Sequence, residues 1–276
     1  MSVYLRADRA VFRFSGADAH KLLNDVVTGH VSSESNGLAA WWALLSPQGK
    51  ILAEGLAGFA ENAIWVDVHQ SVADDFFKRM KMYRLRAQVV IEDLRESHRV
   101  GFAQEATPEI AHRDQRGTVK LGWRIIAPVG ETESWEMEDG PYRLARVEAG
   151  IAELGSDYPP LDAFAHDVGM DLLSGIDFAK GCYVGQEVVS RMKHRGTARR
   201  RPVIVGPTLA EPGTPIIASG REAGTIGRQV DGGAVAIVRL DRIVDADAVT
   251  VGDLKVQVRL PAWAEYRLGE TAVEDV

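Results

Sequence analysis

Short runs in which apolar and polar positions alternate open the chain and predict strands at residues 3–5 and 10–14. Leu22, Leu23, Val26 and Val27 then follow a helical pattern. Ser15, with Asp18 three positions on, predicts the cap of that helix. The apolar run 41–45 reads as a strand. It stops at Ser46-Pro47-Gln48-Gly49, a turn sequence, and residues 51–59 are placed to pair back as a hairpin. Residues 63–68 predict another strand. The clearest helix comes next: Val72, Phe76, Met80 and Tyr83 recur at steps of four, four and three, behind Ser71 and Asp74 at capping spacing. Residues 85–91 turn strand-like. A further strand-helix region covers 119–129 and 142–147. Residues 161–172 are helix-like, with Leu161, Phe164, Ala165, Val168 and Leu172 on one side.

The pattern changes after Gly196. Between residues 202 and 261, short β-rich pieces at 203–205, 225–229, 235–240 and 254–260 alternate with turns marked by Pro207, Pro212-Gly213, Ser219-Gly220 and Gly232-Gly233. Evenly spaced short strands of this kind read as a small barrel or sandwich. The expected division is therefore an α+β region over 1–195 and an all-β region over 196–276. The last residues, 271–276, carry no element signal and are expected to be disordered.

Composition narrows the function classes. Among 276 residues there is one cysteine, Cys182, so an intrachain disulfide, a four-cysteine zinc site and an iron–sulfur cluster held by this chain's cysteines alone are all excluded. The balance of 32 Lys and Arg against 39 Asp and Glu gives a net charge of −7, which argues against a broad nucleic-acid footprint. No apolar run approaches the ~20 residues of a membrane span. The N-terminal residues intersperse charges and lack the apolar core of a signal peptide, so a cytoplasmic protein is expected, with a monomer as the default.

The most unusual string is Lys180-Gly181-Cys182-Tyr183-Val184-Gly185-Gln186-Glu187, in which two glycines bracket the cysteine. Arg191, Lys193, His194, Arg195, Arg199, Arg200 and Arg201 follow, with no acidic residue between Glu187 and Glu211. Nearby cations favour a thiolate, the reactive form; the bland alternative is a small buried hydrophobe. The basic run is either a solvated face or a grip on a polyanion. Glu148, in Arg146-Val147-Glu148-Ala149-Gly150, reads as a carboxylate near a strand end, where it can accept paired N–H bonds from an amino-pyrimidine edge or form a surface ion pair. Adjacent Trp41 and Trp42 point to opposite faces of their strand, so one can face a cavity. Nucleotide-binding glycine motifs and a G-x-S-x-G elbow are missing, and the seven histidines show no H-x-x-x-H spacing, so no metal site is expected.

Lys180-Gly181-Cys182-Tyr183-x-Gly185-Gln186-Glu187 followed by Arg191 resembles the signature of the YgfZ/IBA57 family, folate-binding proteins related to the T-protein of the glycine cleavage system. Leu45-Ser46-Pro47-Gln48-Gly49-Lys50, Lys81-Met82-Tyr83-Arg84-Leu85-Arg86, Arg146-x-Glu148-Ala149-Gly150-Ile151 and Gly16-x-Asp18 before Leu23-Asn24 are similar to further family segments, so that the likeness runs from about residue 5 to 265.

The resemblance implies two interleaved α+β subdomains and a C-terminal antiparallel β-barrel, arranged around a central hole that holds tetrahydrofolate or a derivative. It implies a role in assembly or repair of [4Fe–4S] clusters in client enzymes, including radical enzymes that modify tRNA, through transient contact with clients or assembly machinery. Cys182 becomes the candidate essential residue, with Lys180, Gly181, Tyr183, Gly185, Gln186, Glu187 and Arg191 holding its loop. Glu148 aligns with a pterin contact, and Asp67 with the catalytic or orienting aspartate of the aminomethyltransferases. Arg191, Lys193, Arg195 and Arg199 would meet the polyglutamate tail of a folate. Two alternatives stand beside this reading: a folate-dependent aminomethyltransferase or demethylase, and a non-enzymatic RNA- or protein-binding module built on the basic run. The family equivalent of Cys182 in aminomethyltransferases is usually a large apolar residue, which favours the cluster-assembly branch. No stable nucleic-acid partner is expected under that branch.

Overall fold

The apolar strand segments of the first two-thirds of the chain pair into one nine-stranded sheet, seen in a computed structural model that describes residues 2–116, 121–196, 198–207, 209–231 and 233–270. The strands are β1 (Tyr4–Leu5), β2 (Arg9–Ser15), β3 (Leu38–Leu45), β4 (Ile51–Ala60), β5 (Ala63–His69), β6 (Val90–Asp93), β7 (His98–Ala103), β8 (Ile110–Asp114) and β9 (Trp123–Pro128). Their order is β1-β7-β9-β8-β3-β4-β5-β2-β6. All neighbours are antiparallel except β3 and β8, which join the two halves in parallel. The β3–β4 hairpin turns at Pro47 and Gly49 (φ +79°), as its sequence predicts.

Helices α1 (Ala19–Val26) and α2 (Ala73–Arg84) bury Leu22, Leu23, Phe76 and Met80 in the main core. The Phe76 ring lies 5.3 Å from Phe12 and 5.4 Å from Trp42, an aromatic cluster that dominates the packing between α2 and the sheet. Trp41 faces the other way, and its indole Nε1 donates to Glu54 Oε2 at 2.5 Å. Two further helices are α3 (Gly140–Ala149) and α4 (Gln186–Arg195).

The remaining strands are β10 (Arg200–Gly206), β11 (Pro215–Ala218), β12 (Arg221–Val230), β13 (Gly233–Arg239), β14 (Val249–Val251) and β15 (Leu254–Arg259). They close as an antiparallel barrel in the order β10-β13-β12-β11-β14-β15, β15 pairing back onto β10. The fold is thus α+β with a closed C-terminal barrel. Closure leaves no free sheet edge and decides between the barrel and sandwich readings.

Several local expectations are corrected. Ser15 ends β2 and does not cap α1. Gly16 (φ +110°) brings the chain against Gln88, and Asp18 accepts from the Gln88 N–H at 2.7 Å in place of a cap bond. Ser71 does not cap α2; its own N–H donates to His69 Nδ1 in a short 3₁₀ turn before the helix. The strand read at 85–91 begins only at Val90, because Leu85 leaves α2 with φ +44°. Residues 161–172 form no α-helix. Leu161 (φ +66°) and Gly169 (φ +83°) adopt left-handed conformations, the Asp167 carboxylate takes the Phe164 N–H, and one 3₁₀ turn at His166–Val168 remains. Val119, Gly232 and the segment 271–276 lie outside the described residues.

Candidate functional site

The cysteine loop is held by a lysine. Asp177 Oδ1 accepts from the N–H groups of Ala179 (2.8 Å) and Lys180 (3.1 Å), turning the chain so that the Lys180 stem enters the protein. Its Nζ donates to the carbonyl oxygens of Asn24 (3.0 Å), Val27 and Gly29 (2.9 Å). These carbonyls lie at and just beyond the C-terminal end of α1, where oxygens lack helical partners and a cation is favoured. Burial pushes the Lys180 ammonium down to about 8, which still leaves it protonated at neutral pH. The Tyr183 ring packs 5.0 Å from that nitrogen, and burial pushes its hydroxyl up to about 12.

Gly185 (φ +83°) then starts α4, pressed so closely on Leu45 and Ser46 of the β3–β4 turn that a Cβ would sit 2.9 Å from each. Gly49 of the same turn lies beneath Val188. Between these anchors Gly181 and Cys182 are exposed, so the thiol stands on a short bridge pinned at both ends. The buried-hydrophobe reading of Cys182 is therefore set aside. Gln186 and Glu187 lie in the first turn of α4. Glu187 accepts from Arg191 at 2.8 Å in an exposed i,i+4 pair of the kind that contributes little.

A second charged assembly lies between the halves of the sheet. Asp67 on β5 accepts from Arg9 Nε (2.6 Å) and Arg124 Nη1 (2.9 Å). These two guanidiniums hold its carboxyl below the ordinary range despite burial that would raise it. Arg116 makes a bidentate pair with Asp114 and reaches Glu153 Oε1 at 3.3 Å. Arg6 bridges Asp8 (2.9 Å) and Glu153 (3.1 Å), Tyr142 donates to Glu153, and Arg146 pairs with Asp157. Against its burial, the arginines hold the Glu153 carboxyl well below the usual range. Glu54 accepts from Trp41 and from the Leu154 N–H at 3.1 Å.

The structure therefore separates the sequence candidates. Lys180, Gly181, Cys182, Tyr183, Gly185, Gln186, Glu187 and Arg191 form one loop-helix unit. Asp67 belongs to the charged interior and is locked by two arginines. Glu148 is not near a strand end: it is in the last turn of α3 and points to solvent. Within the basic run Arg200 pairs with Asp162 (2.6 Å) and Arg201 with Asp171 (2.7 Å), and the Lys193 ammonium lies over the Phe178 ring at 3.5 Å. Sequence reasoning missed Arg6, Arg9, Arg116, Arg124, Glu54 and Glu153. For Glu54 and Arg124 the available signal was a lone charge inside an apolar strand segment, as in Ile51-Leu52-Ala53-Glu54-Gly55-Leu56; Arg6, Arg9 and Arg116 stand among other charges and carry no such mark.

Among the described residues no three His, Cys, Asp or Glu side chains are placed to hold a metal ion. Nor do the residues of the charged interior fit tetrahydrofolate. The cavity there measures about 20 Å³, and its guanidiniums and carboxylates are bonded to one another. One orphan, Arg124 Nε, matches the single water such a volume admits.

Comparison with known proteins places this geometry. Residues 198–266 match the family described as CAF17, C-terminal beta-barrel domain. The iron–sulfur cluster assembly factor IBA57 homolog of Mycosarcoma maydis is 30% identical, over 76% of this chain and 58% of its own. The homolog of Pyricularia oryzae is 29% identical over 70% and 54%, and IBA57 of Mus musculus is 28% identical over 78% and 71%. The chain thus spans little more than half the length of the two fungal relatives. The crystal structure of glycine cleavage system aminomethyltransferase T from Bartonella henselae superposes with a TM-score of 0.72 at 15% identity, covering 97% of this chain and 87% of that one, a likeness of fold. The relatives also correct one expectation. The cytoplasmic placement read from the N-terminal residues is overturned, because the IBA57 relatives are named as mitochondrial proteins.

Proposed function

From the similarity of this chain to the IBA57 iron–sulfur cluster assembly factors, on a fold shared with an aminomethyltransferase, we propose that it acts in iron–sulfur cluster assembly through the Cys182 loop. The observation that carries the reading is the exposed Cys182 thiol on a bridge fixed by Lys180 and Gly185. A rigid, solvent-facing thiol is suited to meet a cluster or thiol on another protein, and one cysteine is too few to retain a cluster unaided. The partners in this reading are assembly machinery and [4Fe–4S] client enzymes, radical enzymes that modify tRNA among them. Tetrahydrofolate is given no place in the charged interior, whose cavity of about 20 Å³ does not fit it. The aminomethyltransferase alternative draws no support from Asp67, which is held by two guanidiniums, or from Glu148, which faces solvent.

The test is replacement of Cys182 by Ala in cells. Activity of [4Fe–4S] enzymes should fall while the amount and melting temperature of the variant stay at wild-type values, since an exposed side chain is lost. Unchanged client activity at equal protein level would overturn the proposal.

A further inference from the structure

We propose that the charged interior of this chain is a closed lattice that does not admit tetrahydrofolate, so that the pteridine is not a resident cofactor of that site. The first argument is volume. Pockets that enclose a ligand of this size measure roughly 300–1,000 Å³. The space among Arg9, Asp67, Arg116, Arg124 and Glu153 is about 20 Å³.

The second argument is valence. A pterin is recognised by unpaired donors and acceptors aimed at its amino-pyrimidine edge. Here both Asp67 oxygens are taken, by Arg9 at 2.6 Å and Arg124 at 2.9 Å. Glu153 is shared among Arg6, Arg116 and Tyr142. Asp114 is held by Arg116 through both of its oxygens. To open the space, at least one of these pairs must part. The entering ring is neutral and offers no charge to replace the lost partner, so a buried ion would be left uncompensated. Glu148, the carboxylate that the resemblance implies as a pterin contact, points to solvent.

The third argument is backbone rigidity. Gly55 on β4 lies so close to β5 that a Cβ would stand 1.8 Å from the Asp67 carbonyl oxygen and 2.9 Å from Arg9 Nη2. The Arg116 guanidinium packs 5.5 Å from the centre of the Trp41 ring, whose indole N–H is fixed on Glu54. The lattice is thus clamped by packed strands on one side and by an indole on the other.

The experiment is calorimetric titration of the intact protein with 5-formyltetrahydrofolate and, anaerobically, with tetrahydrofolate. Amide hydrogen exchange is followed in parallel. The expected result is no saturable binding up to about 1 mM, the limit of weak association, and no ligand-dependent protection in residues 54–57, 65–68 or 153–157. Saturable binding that protects only other residues also upholds the closed interior. Saturable one-to-one binding with protection at those three segments overturns it. This readout is separate from client activity, so the two proposals can fail independently.

Discussion

Arg9 and Asp67 meet with 2.6 Å between Nε and Oδ1, each side chain at most 5% exposed, and Arg124 closes the other carboxylate oxygen. The pair is a structural joint between β2 and β5, strands that are themselves hydrogen-bonded neighbours. Asp67→Ala would strand two buried guanidiniums, so a loss of about 3–5 kcal/mol of stability is expected in urea denaturation. An aspartate serving only to orient a reacting group would leave the denaturation midpoint unchanged, and that outcome would restore a catalytic reading.

Lys180 makes a sharper local test. Lys180→Met keeps the apolar stem and removes three donors from the Asn24, Val27 and Gly29 carbonyls. A loss of about 1–3 kcal/mol is expected, with faster amide exchange in residues 177–184. Lys180→Arg should not rescue it, because a planar fork cannot point at three oxygens gathered around a single nitrogen. Wild-type exchange in the Met variant would refute the anchoring role.

The two glycines that bracket Cys182 should behave differently. Gly185 has φ +83° and contacts at 2.9 Å, so Gly185→Ala should cost more than about 1 kcal/mol. Gly181 has open space around it and no positive φ, so Gly181→Ala should stay within about 0.5 kcal/mol. Equal effects in thermal melting would mean that the loop is not fixed as described.

His112 sets a pH dependence. Burial, with Arg124 beside it, pushes its imidazole down to about 3. Arg124 donates to Nδ1 at 3.0 Å and Nε2 faces the Phe59 carbonyl at 3.3 Å, an arrangement that requires the neutral ring. The unfolded chain binds this proton near pH 6.5 and the folded one does not, so stability falls as pH drops from 6.5 towards 3. His69, His98 and His166 are also lowered by burial and act in the same direction. The depressed carboxylates Asp67 and Glu153 lose their contribution only below about pH 4, while burial raises Glu54, Asp157 and Asp167, which act against the histidines as pH falls. Each fully shifted histidine should contribute about 1 kcal/mol per pH unit between about pH 6.5 and 5, and His112→Gln should flatten the slope. The same change in urea midpoint between about pH 7.5 and 5.5 in His112→Gln as in the wild type would contradict this.

Much of the scaffold was legible because local chemistry and tertiary structure agree. Pro47-Gln48-Gly49 sets the β3–β4 hairpin, the Val72-Phe76-Met80 spacing marks α2, and the glycine- and proline-spaced segments mark four barrel strands. Helix α4 was not read, since its sequence Gln186–Arg195 is polar and buries only Val189. Residues 161–172 were read as helix from apolar spacing, whereas left-handed Leu161 and Gly169 break the run. The cysteine loop could be found by its unusual string. The charged interior could not, because its partners lie far apart along the chain, such as Arg9 with Asp67 and Arg6 with Glu153. A charge in a strand does not say which opposite charge will meet it.

The segment that follows the barrel's last strand works as a clasp. Trp263 donates its indole N–H to the Ala149 carbonyl at 2.7 Å and lays its ring over Gly169, Pro261 covers Gly150, and the Tyr266 hydroxyl donates to the Pro202 carbonyl at 2.6 Å. A few residues beyond the barrel thereby hook around the end of α3 and back onto the barrel's first strand. The two parts of the chain are fastened by a latch that closes last in sequence. A nascent chain can pair Arg200 with Asp162 and Arg201 with Asp171 as soon as β10 has emerged, and Trp263 adds the final bond between the two parts.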